Sequence, residues 1–131
     1  MVYVTDTHAL LWYLFTPKKL GKAALAAFET LQQDDLLVVP AVVVAEIVMV
    51  IEKQRIQATL DELKTVIASL EQEDFCLFPP LTSEDIFASI ALSQIPDIFD
   101  RLVVYEAYKR EAILITKDDL ITKSSLVKTV W

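Results

Sequence analysis

Short apolar runs alternate with longer helical patterns along the whole chain, and this alternation most constrains the fold. Runs rich in β-branched residues predict strands at 2–5, 36–39, 75–78 and 112–116, with the KTVW segment at 128–131 as a candidate short final strand. Helical patterns occur near 7–15, 22–33, 41–54, 59–73, 83–93 and 98–110. Strands that are apolar throughout and alternate with helices form mostly parallel sheets covered on both faces. We therefore predict an α/β fold, a three-layer α/β/α sandwich with a mostly parallel central sheet, and a single domain over residues 1–131.

Composition excludes several classes of protein. The only glycine in the chain is Gly21, whereas the Walker-type phosphate loop and the dinucleotide fingerprint each need several glycines. The apolar run at 36–45 is too short to span a bilayer and contains Pro40. The N-terminus lacks the basic region of a secretory signal, and the lone Cys76 cannot form an internal disulfide, so the cytoplasm is the expected compartment.

The net charge of −7 is the wrong sign for a generic nucleic-acid binder. Two interpretations remain open at this point. Either no nucleic acid is involved, or the acidic residues are concentrated at a site where a bound cation reverses the local charge. The positions of the acidic residues therefore matter more than their number.

Two aspartates directly follow predicted strands. Asp6 comes after VYVT, and Asp118 comes two residues after Thr116, the last residue of AILIT. Ligand sites in open parallel sheets lie beyond the carboxyl ends of the strands. Asp6 is equally suited to cap the following helix, and the adjacent Asp119 leaves open which of the two neighbouring aspartates has a functional role.

Glu46 is the only ionisable residue of the apolar helical segment at 41–51. Residues three and four positions away are valine or methionine, so its own helix offers no partner. A buried carboxylate without a partner costs several kcal/mol unless it is protonated, paired or bound to a metal. The alternative is that this face of the helix opens onto solvent. We favour a ligand role.

Asp97 and Asp100 lie in the apolar segment IPDIFDRLVV. Asp97 is suited to cap the helix and to form a surface pair with Arg101, four residues later. Asp100 instead shares its helical face with Val103 and Val104, which places it towards the core. We assign Asp97 mainly to structure and Asp100 to chemistry.

Clustered carboxylates would repel one another without a cation. Oxygen ligands suit hard divalent ions such as Mg²⁺ or Mn²⁺, and one histidine with one cysteine is too few for an ordinary zinc site. Carboxylate-held divalent ions beside an open cleft are suited to phosphodiester hydrolysis. Such ions would also explain how an acidic protein attracts a nucleic acid.

The segments VTDTHALLWYL, AEIV, PDIFDRLVVYEA and LITKDD resemble the PIN domain, and more narrowly the VapC-type toxins of bacterial toxin–antitoxin pairs. The resemblance covers essentially the whole chain. It implies a Mg²⁺- or Mn²⁺-dependent endoribonuclease in which water attacks phosphorus in line, without a protein nucleophile. The acids that match the family quartet are Asp6, Glu46, Asp100 and Asp118, and Asp97 and Thr116 are auxiliary residues. Thr7 is a weaker match for a positioning role.

The resemblance also implies an RNA substrate, a cognate antitoxin that occupies the cleft, and a toxin homodimer. The apolar faces at 23–31 and 66–70 are candidates for the antitoxin or dimer contact. The alternative is a catalytically weak PIN-like module that binds RNA or protein. A third reading, a DNA-directed nuclease, is disfavoured because the chain has no room for a DNA-clamping insertion.

Other residues have ordinary structural interpretations. We expect His8 to point away from Asp6, Cys76 to be a small buried strand residue, and the aromatic side chains of Trp12, Tyr13 and Phe15 to pack between helices rather than stack on bases. Arg101 is suited either to a phosphate or to Asp97. The basic residues that are candidates for RNA contacts, and otherwise solvated surface charges, are Lys18, Lys19, Lys22, Lys109, Arg110, Lys117 and Lys123.

Overall fold

The computed structural model describes residues 1–31 and 34–131 of the chain. Its strands are β1 (Val2–Thr5), β2 (Leu36–Val38), β3 (Cys76–Leu77), β4 (Ile113–Ile115) and β5 (Lys128–Val130). They form one sheet in the order β3-β2-β1-β4-β5, and every pairing is parallel. Because β1 is central, the residues that follow it are flanked on both sides by the ends of neighbouring strands.

The helices of the described residues connect these parallel strands. They are α1 (Thr7–Phe15), α2 (Lys22–Glu29), α3 (Ala41–Glu52), α4 (Leu60–Glu71), α5 (Ser83–Ala88), α6 (Ile98–Arg110) and α7 (Asp119–Ser124), with short 3-10 segments at Pro17–Lys19 and Ser89–Leu92. None of them is long and apolar enough to cross a membrane, a finding that covers the described residues alone.

The core lies between the sheet and its helices. Val4 of β1 and Leu114 of β4 are fully buried, as are Leu10 of α1 and Ile47 of α3. Parallel strands that are covered on both faces need apolar residues at consecutive positions, which explains the unbroken apolar runs of the sequence. The predicted α/β class and parallel central sheet are confirmed.

Acidic and hydroxyl side chains start several of the helices. The side chains of Asp6, Asp97 and Asp118 cap α1, α6 and α7, and each accepts a hydrogen bond from a backbone N–H three residues later. Thr82 forms a capping box with Asp85 at the start of α5. The predicted helix starts at TSED and PDIFD are therefore confirmed.

Several predicted boundaries were wrong. The helix predicted at 22–33 ends at Glu29, and the predicted positions 32 and 33 lie outside the described residues. The pattern at 83–93 begins as α5 and continues as the 3-10 segment Ser89–Leu92, and the strand predicted at 75–78 contains only two residues. The short α7 was not predicted, because its six residues are too few to show a helical period.

Candidate functional site

A cleft of about 450 Å³ lies beyond the carboxyl ends of the central strands. Helices α1, α3, α6 and α7 all contribute to its walls. Its lining residues are Asp6, Thr7, His8, Trp12, Glu46, Asp100, Val103, Lys117, Asp118 and Ile121. The carboxylates of Asp6, Glu46, Asp100 and Asp118 come from different parts of the chain and therefore meet in this one cleft.

Asp6 lies at the junction of β1 and α1. Its Oδ1 accepts a hydrogen bond of 2.8 Å from the backbone N–H of Ala9, and its Oδ2 accepts one from the hydroxyl of Thr116. Burial raises the pKa of the Asp6 carboxyl, while the hydrogen bonds from Thr116 and Ala9 oppose that effect. The capping role and the position in the cleft coexist in this one residue, so the two interpretations of Asp6 were not alternatives.

Thr116 joins two of the acids from a buried position. Its hydroxyl donates to Asp6 and accepts a hydrogen bond of 3.1 Å from the backbone N–H of Asp118. The side chain is only 1% exposed, so its orientation is fixed by packing as well as by these bonds. Thr116 therefore links the carboxylate of Asp6 to the backbone of Asp118.

Glu46 has a partner that its own helix does not supply. The hydroxyl of the buried Thr7 donates a hydrogen bond of 2.7 Å to Glu46 Oε1, which links α1 to α3. Glu46 is neither fully buried nor fully exposed, and it faces the cleft. The cost of placing the Glu46 carboxylate among apolar neighbours is thus reduced by the hydrogen bond from Thr7 and by access to the cleft.

The pKa of the Asp100 carboxyl is strongly raised. Burial, and after it the negative charges of Asp97, Asp118, Glu46 and Asp6 in that order, together raise its pKa to about 6. All the carboxylates of the cleft therefore act on Asp100 electrostatically. Asp97 is exposed and does not line the cleft, but its side chain caps the helix at Asp100 N, 3.0 Å away.

Asp118 and Asp119 occupy different environments. Asp118 is partly buried, lines the cleft and caps α7 through a 2.9 Å hydrogen bond from Ile121 N. Asp119 is exposed and is not part of the cleft wall. Of these two neighbouring aspartates, only Asp118 lines the cleft.

Arg101 does not form the predicted pair with Asp97. Its guanidinium donates instead to the backbone carbonyl oxygens of Ile95 and Pro96, at 2.8 and 3.1 Å. No ion pair among residues 1–31 and 34–131 includes Arg101. The sequence spacing suggested the pair, but the turn before α6 offers carbonyl groups closer to the side chain.

The rim of the cleft carries aromatic and basic side chains. His8 is exposed and lines the cleft, with its ring 5.7 Å from that of Trp12, so the expectation that His8 points away from the site was wrong. Trp12 also lines the cleft, although it packs against the core on its other side. The expected helix packing does hold for Tyr13, which stacks on Phe28 of α2 at 4.3 Å.

Cys76 does not contribute chemistry to this site. It lies in the edge strand β3, and burial raises the pKa of its thiol to about 11. A thiol in that state is protonated near neutral pH and is a poor nucleophile. The expectation of a small strand residue is confirmed, although the side chain is only partly buried.

The carboxylate set suits a hard divalent cation by its chemistry and charge. Four acids share the cleft, and both burial and the charges of the other acids raise the pKa of Asp100, so a cation would stabilise the ionised group. As their side chains are placed, however, no three His, Cys, Asp or Glu residues of the described chain form a group that could hold a metal ion. Hydrogen bonds from Ala9 and Thr116 reach both oxygens of Asp6, and one from Thr7 reaches Oε1 of Glu46. A carboxylate has about four acceptor positions, so these oxygens can still accept a further ligand.

A sequence model of the PIN domain matches residues 3–123, nearly the whole chain. The chain belongs to the PIN domain family. The resemblance seen in the sequence motifs is thereby confirmed at the level of the family. No curated protein matches this PIN domain chain in sequence.

Solved structures confirm the PIN domain fold. The chain is similar to a chain of VapBC2 from Rickettsia felis bound to a DNA fragment from their promoter, with 14% identity, a TM-score of 0.71, and 99% of this chain and 98% of that chain covered. It is also similar to a chain of VapBC-1 from nontypeable Haemophilus influenzae, with 18% identity, a TM-score of 0.65, and 99% of this chain and 97% of that chain covered. It is also similar to a chain of FitAcB from Neisseria gonorrhoeae (16%, 0.59, 100% and 97%). At these identities the likeness is one of fold.

Sequence reasoning undervalued the residues that support the acids. Thr7 was a weak candidate because a single threonine after an aspartate has no distinctive pattern. His8 and Trp12 are separated by four positions on α1, and that spacing does show that they share a helix face. It does not show that this face borders the cleft, since that depends on where α7 and β5 pack.

Proposed function

We propose that this PIN domain chain is a Mg²⁺- or Mn²⁺-dependent endoribonuclease and the toxin component of a VapC-type toxin–antitoxin pair. The observation that supports this proposal best is the convergence of Asp6, Glu46, Asp100 and Asp118 on one cleft. Membership of the PIN family supplies the reaction class that such a cleft would serve. Water would attack the RNA phosphodiester in line, with no covalent enzyme intermediate.

The cleft acids would share distinct tasks. Asp6, Glu46, Asp100 and Asp118 would hold the divalent ion, which supplies a Lewis acid for activating water and for stabilising charge on the phosphate. Thr116 would orient Asp6 and Asp118 through its two hydrogen bonds, and Thr7 would orient Glu46. Residues fixed in this way lose little freedom when the phosphate arrives, which favours a well-ordered reacting geometry.

Partners follow from the same proposal. The structural neighbours named VapBC motivate a cognate antitoxin that covers the cleft, and the exposed apolar residues of α5 and its 3-10 extension, Phe87 and Ile90, offer contact surface. We also propose a homodimer. Light scattering on the isolated chain, and on the chain co-expressed with the product of the adjacent gene, tests both assemblies.

The test of activity uses the purified chain with structured RNA and with DNA of the same sequence, in Mg²⁺, in Mn²⁺ and in EDTA. We expect internal cleavage of RNA with either ion and none in EDTA. Cleavage of DNA at the same rate, or RNA cleavage that persists in EDTA and in Asp100→Asn, would contradict the proposal. Sequencing the ends of cleaved cellular transcripts would identify the substrate.

One observation favours a second function. As placed, the acids of the described chain do not form a group that could jointly hold a metal, which fits a PIN-like module that binds RNA or protein without turnover. Such a module would bind RNA equally well with Mg²⁺ and with EDTA and would leave it intact. The cleavage assay therefore separates the two functions directly.

A further inference from the structure

An aromatic and basic rim borders the acidic cleft on the side of α1. It consists of Trp12 together with His8, Trp131, Lys19 and Lys117. His8 and Trp12 are one helical turn apart on α1, and both line the cleft that contains Asp6. Lys117 lies between Thr116 and Asp118 in the sequence and also lines the cleft. This rim is therefore continuous with the carboxylates, and a nucleic acid entering the cleft would meet it.

Two ammonium groups are held beside one indole ring. Lys19 Nζ lies 5.8 Å and Lys117 Nζ 5.9 Å from the Trp12 ring centroid. Both lysines are exposed, and among residues 1–31 and 34–131 neither belongs to an ion pair. The two lysines thus have no carboxylate partner within the described part of the chain and lie next to a cleft that contains four carboxylates. They are suited to contact the flanking phosphates of a nucleic-acid strand whose central phosphate lies at the acids.

The only glycine of the chain helps to build this rim. A Cβ at Gly21 would lie 2.6 Å from the carbonyl carbon and 2.7 Å from Cδ1 of Trp131, so only glycine permits the close approach. The carbonyl of Trp131 also accepts a hydrogen bond of 3.3 Å from the N–H of Ala23. The indole of Trp131 is thereby held edge-on to Trp12, with the ring centroids 5.6 Å apart. Trp12 is thus supported from one side while it still borders the cleft.

We propose that the Trp12 rim is a subsite on which a base of single-stranded RNA next to the scissile phosphate stacks, with Lys19 and Lys117 contacting the flanking phosphates. The inference rests on the proposed function and names the part of the substrate that the site recognises. An unpaired base can stack on an indole face whatever its identity, and basic groups beside the aromatic ring follow the backbone. Helix packing alone does not require two unpaired lysines at the same ring.

The test measures binding without catalysis. Fluorescence anisotropy in EDTA compares an unstructured oligouridylate of about ten nucleotides with an abasic ribose–phosphate chain of the same length and charge. We expect the wild type to bind the oligouridylate about tenfold more tightly than the abasic chain, within the roughly 5- to 150-fold that one stacked base contributes. Trp12→Leu, which keeps an apolar side chain but removes the ring, should lose this preference, and Trp12→Tyr should keep part of it.

Charge variants test the second half of the subsite. Lys19→Ala should weaken binding of both chains by the same factor and reduce the salt dependence of binding by about one counterion. Lys18→Ala is the matched control, because it removes the same charge from the neighbouring exposed residue of the Pro17–Lys19 segment. Lys18→Ala should have a clearly smaller effect. Since Lys19 is exposed, this arm stands even where Trp12→Leu does not fold.

The outcomes separate the subsite from the proposed nuclease. Equal binding of the oligouridylate and the abasic chain by wild type, or an undiminished preference in Trp12→Leu, overturns the subsite. Equal effects of the Lys18 and Lys19 variants overturn its phosphate contacts. RNA cleavage in Mg²⁺ with unchanged KM in folded Trp12→Leu overturns the subsite while the nuclease stands. A base preference that depends on Trp12, in a protein that never cleaves RNA, supports the subsite and overturns the nuclease.

Discussion

The two ends of the sheet carry pockets of opposite chemistry. The larger pocket, about 780 Å³, lies at the amino end of the strands and is lined by residues such as Val2, Tyr108 and Lys128. Its one acidic lining residue is Glu111, whereas the smaller cleft of about 450 Å³ at the carboxyl end has four. The smaller pocket is the candidate site because of the side chains that line it and not because of its size.

The polarity of the chain explains this difference. Helices that follow parallel strands begin at the carboxyl end of the sheet, where their unpaired N–H groups and positive dipole ends stabilise aspartates such as Asp6 and Asp118. The same helices finish at the other end, where α6 has Lys109 and Arg110 in its last turn. Acids that the fold tolerates as caps are thus collected where a cation-dependent reaction can use them.

The sharpest test of this contrast removes one charge from each end. Asp100→Asn and Asp6→Asn should each reduce RNA cleavage by at least about 10³-fold, because each removes a negative charge from the proposed metal site. The fold should survive Asp6→Asn, because asparagine can also cap α1. Glu111→Gln, at the amino-end pocket, is the matched control and should leave the cleavage rate within about twofold. The measurement is single-turnover cleavage of a labelled RNA in Mg²⁺. A large loss in the Glu111 variant would show that the larger pocket takes part.

The next effect concerns the threonine that joins two acids. Thr116→Val keeps shape but removes the hydroxyl that donates to Asp6 and accepts from Asp118 N, so kcat should fall by about 10- to 100-fold with little change in KM. Thr116→Ser should recover most of the activity. Thr122→Val is the control, because its exposed hydroxyl contacts the carbonyl of Asp118 and Thr129 rather than a cleft carboxylate. Equal losses at Thr116 and Thr122 would contradict the positioning role.

The fold and the positions of the acids could be predicted because their signals are local in the sequence. Strand and helix periods recur often enough to fix the order of elements, and an acid after a buried strand must lie at the sheet's carboxyl end. The capping role of Asp97 and the isolated charge of Glu46 were visible in the same way. These inferences needed only local neighbours in the sequence.

Contacts between distant elements could not be predicted in this way. The hydrogen bond from Thr7 to Glu46 joins residues 39 apart, and that from Thr116 to Asp6 joins residues 110 apart. Trp12 also contacts Trp131 at the far end of the chain, which approaches closely only because Gly21 lacks a Cβ. Sequence spacing also suggested the pair of Asp97 with Arg101, which the carbonyl groups before α6 replace.

Metal binding provides a further test of the difference between the adjacent residues Asp118 and Asp119. If the cleft holds Mn²⁺, an ion concentration of about 100 times its Kd should raise the free energy of unfolding by about 2.7 kcal/mol. Asp118→Asn should lose most of this stabilisation, and Asp119→Asn should retain it, because only Asp118 lines the cleft. Urea unfolding with and without Mn²⁺ measures the difference. Equal retention in both variants would place the ion elsewhere.

The smallest effect is the pH dependence of stability without metal. The folded-state pKa of Asp100 is raised from 3.8 to about 6, so the folded chain binds the proton more tightly than the unfolded chain does. The stabilisation is complete below about pH 3.8 and is lost as the pH rises towards 6, which leaves a penalty at neutral pH. Because the carboxyl is only partly buried, solvent screening reduces this penalty to about 1 kcal/mol.

Asp100→Asn in EDTA should therefore be more stable than the wild type at pH 7 by about 1 kcal/mol, and the gain should vanish near pH 4. Urea unfolding across this pH range provides the measurement, with Asp119→Asn as a control that removes an equal charge from an exposed position. A gain that is the same at both pH values would show that packing, rather than the ionisation of Asp100, sets the stability of the variant. A gain confined to high pH would show that the ionised Asp100 carboxyl is buried beside the other cleft acids at a cost in stability, as expected of a site built to receive a cation.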